Sequence, residues 1–131
     1  MEIKKIDRIE RITDEMKALN EELDKLTNTS RPTFDTLASI YEKAVGMGED
    51  RGWSICQLRE YYLFVVLYVF DPSALVKRLE RGGVRSDIAR VMGVTINNVS
   101  HLTRHLLFHY RIYKDFRNAV DELYNISISD V

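Results

Sequence analysis

The stretch from Arg85 to Arg104 restricts this chain more than any other. Two short helices joined by a sharp bend need a small residue where they cross, a residue tolerant of positive φ in the bend, and inward apolar side chains from both. Ala89 is the small residue, Gly93 the bend four positions later, and Ile88, Met92, Val94, Val99 and Leu102 the apolar set. Thr95 stands where a side-chain oxygen caps the second helix.

In that second helix, Val99, Leu102 and Leu106 recur at i, i+3 and i+7 and predict an inward face. Asn97, Asn98, His101, Arg104 and His105 then form the opposite stripe. These residue types suit base edges: Asn pairs bidentately with adenine and Arg with guanine, and an apolar side chain such as Ile96 touches a thymine methyl. The pattern is a helix-turn-helix at about 85–104. Its expected base contacts are Thr95, Ile96, Asn97, Asn98, His101 and Arg104, with the N-terminal half of the helix reading. Lys77, Arg78, Arg81, Arg85, Ser86 and Arg90 are the expected phosphate contacts, with the backbone amides near Ser86 and Thr95 assisting.

Charge distribution points the same way. The chain has 131 residues and a formal net charge of -1, but residues 77–117 carry nine basic side chains against three acidic ones. A basic segment in a neutral protein fits a polyanionic partner, and a solvated helical surface is the alternative.

The rest of the chain reads as helix. Residues 2–27 place Ile9, Ile12, Met16, Leu19, Leu23 and Leu26 at alternating spacings of three and four, with a at Ile9, Met16 and Leu23 and d at Ile12, Leu19 and Leu26. So narrow a stripe suits a helix pair better than a globular core, so residues 1–30 are expected to be a dimerisation segment; packing back onto the chain's own domain is the alternative. Asn28–Pro32 reads as a linker before a helical domain over 33–131. Within it the pattern predicts a helix over Thr33–Val45, a mobile loop over Gly46–Gly52, and a helix from a Ser54 cap to Phe70. Tyr61–Phe70 also fits a strand, but nothing else in the chain looks like a pairing strand. Asp71-Pro72 predicts a helix start running to Arg81 and stopping at Gly82-Gly83. Beyond Leu107 one helix is expected to continue to Leu123, with fraying from Asn125. The fold class is therefore all-α, with a coiled-coil-like N-terminal helix.

Cys56 is the single cysteine and is read as a small buried hydrophobe, so no disulfide within the chain is expected. The charged N-terminus lacks the apolar core of a secretory signal, and the longest apolar run, Tyr61–Phe70, is half of what a membrane span needs. A cytoplasmic protein without a membrane partner is expected.

From about Arg59 to Tyr124 the chain resembles the C-terminal DNA-binding domain of the DnaA-type replication initiators, within the Trp-repressor-like helix-turn-helix group. Arg59-Glu60 opening a long helix, Ser86-Asp87-Ile88-Ala89 with Met92-Gly93, and Val99 and His101 carry the resemblance. It implies duplex binding through the second helix. That family opens this helix with an Asp-His signature, where this chain has Thr95-Ile96. The initiators' ATPase part has no counterpart, because no Gly-Lys-Ser/Thr phosphate loop occurs.

His101, His105 and His109 share a spacing that suits a metal, but no cysteine or carboxylate sits beside them to complete a site. No metal and no cofactor is expected. Without paired carboxylates, a Ser/His/Asp set or a phosphate cradle, no catalytic residues and no enzymatic activity are expected either. The expected function is sequence-specific binding of double-stranded DNA by a homodimer or higher homo-oligomer, as a transcription regulator or replication accessory. An assembly or adaptor protein, such as a phage packaging or virion component, is the alternative.

Overall fold

The apolar run in the middle of the chain becomes the axis of the fold. In the computed structural model, which describes residues 2–27, 31–76 and 84–128, Tyr61 through Leu67 are buried without a break. A helix buried on every side needs partners on every side. The described residues are all α: α1 (Ile3–Thr27), α2 (Phe34–Arg51), α3 (Ile55–Phe70), a 3-10 helix (Pro72–Val76), α4 (Val84–Met92), α5 (Ile96–Thr103), α6 (Leu106–Ile112) and α7 (Lys114–Ile128). The 3-10 helix and α2, α4, α5, α6 and α7 all pack on α3. The all-α expectation therefore holds, and Tyr61–Phe70 is helix rather than strand.

Ser54 starts α3 as predicted. Its hydroxyl accepts the Gln57 N–H at 3.2 Å and its own N–H donates to Gln57 Oε1 at 2.8 Å, which satisfies two end groups reciprocally. Deeper in, Tyr62 donates its hydroxyl to the Leu37 carbonyl at 2.9 Å and locks α3 to α2. Burial of that phenol raises its pKa, so it stays neutral and donating.

α2 corrects the loop expected over Gly46–Gly52, because the helix runs through both glycines to Arg51. Glycine lowers helix propensity by about 1 kcal/mol, which tertiary packing overrides. Here the Trp53 ring folds back over Gly48, with ring carbon Cε3 at 3.4 Å from the site a Cβ would take. The Gly48 carbonyl accepts the Trp53 N–H at 3.0 Å, and Gly52 at φ 69° makes the reversal. An Arg51–Glu122 ion pair then ties the end of α2 to α7.

One further expectation is corrected. Cys56 is exposed, not buried: it lies in the first turn of α3 beside exposed Ile55 and Gln57, before the buried run begins. Asp71-Pro72 does start a helix, which over the described Pro72–Val76 is 3-10, with the Asp71 carbonyl accepting from Ala74 N at 3.1 Å. The remainder of the helix expected to reach Arg81, and the stop at Gly82-Gly83, lie outside the described residues.

The single helix expected from Ile96 to Leu123 is three. The first break follows Thr103: its hydroxyl turns back to the Val99 carbonyl at 2.8 Å, and Arg104 N–H reaches only three residues back, to His101 O at 3.4 Å. The second is Tyr113, whose backbone is extended at φ -101° and ψ 114°. These joints let Leu106, Phe116, Val120 and Leu123 all face the core. Phe64 stacks on Tyr110 with centroids 4.9 Å apart, and Tyr110 donates to Asp121 Oδ1 at 2.8 Å. α7 persists past Asn125, where fraying is expected, because Ser127 is buried and donates to Leu123 O at 2.7 Å.

Candidate nucleic-acid interface

α4, its bend and α5 hold the residues singled out by the sequence. Ile88, Ala89 and Met92 of α4 and Val99 of α5 are buried. Gly93, at φ 70°, makes the bend, across which Val94 N donates to the Ala89 carbonyl at 3.0 Å. Thr95 caps α5, its hydroxyl accepting the Asn98 N–H at 3.1 Å. A Cβ at Gly93 would meet nothing within 4 Å. Gly93→Ala is therefore expected to cost only the left-handed backbone penalty, about 1–2 kcal/mol in urea denaturation.

The outward face of α5 is polar. Asn97, Asn98, His101, Arg104 and His105 are exposed, as are Thr95 and Ile96. The inward face differs in one place from the predicted set: Leu102 is only half-buried, and Thr103 takes the buried position beside Val99. Sequence spacing does not find this, because a threonine reads as polar until its hydroxyl is bonded within its own helix.

The expected phosphate contacts separate. Arg85 bridges the two helices, its Nη1 donating to Ser100 Oγ at 3.3 Å in a part-buried position. Ser86 is half-buried. Arg90 is exposed, with its guanidinium 4.7 Å above the Phe34 ring centre and 3.7 Å from Asp87 Oδ1. Lys77, Arg78 and Arg81 lie outside the described residues. Phe34, fifty-six residues away in sequence, carries no signal that pairs it with Arg90.

Electrostatically, residues 88–114 contain no carboxylate, while Arg90, Arg104, Arg111 and Lys114 are all exposed. The three histidines do not share one helix: His101 belongs to α5, and His105 precedes α6, which contains His109. His109 turns inward, with Nδ1 4.0 Å from Glu60 Oε2 and its ring against Phe116. Among the described residues no group of three or more His, Cys, Asp or Glu side chains is placed to hold a metal ion. No described helix is long and apolar enough to cross a membrane.

This arrangement offers hydrogen-bond donors and acceptors on the exposed face of one helix, with exposed Arg90 and Arg104 on either side of it in sequence. Comparison with protein-family models, curated proteins and solved structures gives no match.

Proposed function

We propose that the chain binds duplex DNA through a helix-turn-helix formed by α4 and α5, as a transcription regulator or replication accessory. The carrying observation is the exposed face of α5, where Asn97, Asn98 and His101, with Arg104 at the helix's C-cap, stand clear of the core within a stretch free of carboxylates. A helix placed this way enters the major groove with its N-terminal half against base edges. Asn97 and Asn98 read adenines, Arg104 a guanine, and Ile96 packs on a thymine methyl. Arg90, held by Phe34 and Asp87, meets the backbone, and the amides at the start of α5 face a phosphate. Arg85 positions the reading helix through Ser100.

The test selects a preferred duplex from a randomised pool and measures affinity by fluorescence anisotropy. Asn98→Ala is expected to cost about 1–3 kcal/mol on that duplex and to relax specificity at one position. Unchanged affinity and specificity would remove Asn98 from the reading set, and failure to enrich any duplex would remove the function.

One observation favours the adaptor reading: Phe108 and Ile112 of α6, with Tyr113 after it, are all more than half exposed. Such a patch suits a protein partner. Under that reading duplex DNA is not retained and salt has little influence on partner binding.

A further inference from the structure

α1 carries its apolar side chains outward. Ile9, Ile12, Met16, Leu19 and Leu26 are exposed and Leu23 is half-buried. Among the described residues α1 forms no packed interface with the helices grouped around α3. The a/d stripe is thus largely exposed along a rod about 37 Å long, while Ile3 and Ile6, also exposed, fall outside that register near its start.

The surface of that stripe has a definite shape. A trough of about 450 Å3 runs along it, lined by Met16, Leu19, Asn20, Glu22, Leu23 and Leu26. These six residues form two overlapping diamonds: Met16, Leu19, Asn20 and Leu23, then Leu19, Glu22, Leu23 and Leu26. In the register a at Met16 and Leu23, d at Leu19 and Leu26, these are the four-residue holes that receive a d knob and an a knob from a facing helix.

We propose that α1 pairs with α1 of a second copy as a parallel, in-register, two-stranded coiled coil. The flanking charges choose the orientation. Arg8, Glu15 and Glu22 occupy g positions, and Thr13 and Asn20 occupy e positions. In the parallel pair each g faces the e of the partner's next heptad, so Arg8 meets Thr13 and Glu15 meets Asn20, with no like charges opposed. Thr13 is neutral and already bonded to Ile9 O at 2.8 Å. An antiparallel pair that keeps all six apolar layers sets Glu15 against Glu22 twice. Sliding it by one heptad brings Arg8 to Glu22, but it leaves Glu15 facing Glu15 and sets Leu23 against Lys5 and Leu26 against Glu2. Only the parallel pair keeps every layer apolar without like-charge contacts. It places both linkers, and so both helical bodies, at one end of the rod. This inference does not rest on the DNA-binding reading.

The test uses full-length protein with Cys56→Ser, since Cys56 is exposed and would cross-link on its own. Leu26→Cys and Ile9→Cys are made separately in that background, mixed in equal amounts, and oxidised mildly. The parallel pair predicts 26–26 and 9–9 disulfide dimers, with 9–26 dimers at least tenfold rarer, as read by mass spectrometry. In the antiparallel pair the two sulfurs introduced by Leu26→Cys stand about 25 Å apart. Predominant 9–26 dimers, or no dimers at high micromolar protein, overturn the proposal. Light scattering of the unsubstituted chain gives a second readout: a concentration-dependent dimer is expected, and Leu19→Glu should raise its dissociation constant at least tenfold. A dimer that survives Leu19→Glu overturns the assignment to this stripe. A dimer by both measures that retains no duplex supports the proposal while removing the DNA-binding reading.

Discussion

Raising monovalent salt from about 50 to about 200 mM is expected to weaken duplex binding roughly fortyfold, through release of counterions condensed on the DNA. Besides Arg104, which is assigned to a base, Arg90, Arg111 and Lys114 are exposed along the carboxylate-free stretch. About three neutralised phosphates give a slope near -2.7 in log affinity against log salt. Arg90→Ala is expected to reduce the slope by about one and to weaken all sequences alike. Asn98→Ala should leave the slope unchanged and act on the selected sequence alone. The two variants thus separate backbone positioning from base reading. A flat salt response in a chain that still binds its partner would favour the adaptor reading.

Leu63→Ala is expected to be the most damaging single truncation in stability. Leu63 is wholly inaccessible at the centre of α3, with buried residues on both sides in sequence. Removing its side chain forfeits transfer energy and leaves a cavity that close-packed neighbours fill only in part, about 2–5 kcal/mol together. A domain of this size is stable by about 5–15 kcal/mol, so the loss is a large fraction of the total. Ile55→Ala in the same helix is the control. Ile55 is more than half exposed, and its truncation should cost about 1 kcal/mol or less. Urea titrations of both variants read the difference. Similar midpoints would mean that α3 is not the axis of the fold.

Much of this architecture is written locally. The Ser54 and Thr95 caps, the bend at Gly93 and the helical nature of Tyr61–Phe70 follow from residue chemistry at fixed spacing, and each is present. What the sequence hides is decided at a distance. Gly46 and Gly48 read as breakers, yet the indole that rests on Gly48 comes from beyond the turn. The periodicity from Ile96 to Leu123 is continuous, yet the chain bends twice because Leu106 and Phe116 seek the core from different directions. Cys56 falls inside an apolar stretch but before the helix enters the interior. The exposed stripe of α5 is legible because period 3.6 assigns faces once Val99 is placed inward. The Arg85–Ser100 and Arg90–Phe34 contacts are not, since side chains fifteen and fifty-six residues apart meet only through the packing of three helices.

The Trp53 corner gives the molecule a built-in optical gauge. Trp53 is the chain's only tryptophan, half-buried over Gly48 and edge-on to Tyr61 with centroids 4.8 Å apart. Opening of the α2–α3 joint wets that indole and shifts its emission to the red. Ile3–Thr27 contains no aromatic side chain, so the same signal is blind to the state of the N-terminal rod. Melting followed by fluorescence therefore reports the helical body alone, and its divergence from a circular dichroism melt measures the separate unravelling of the rod.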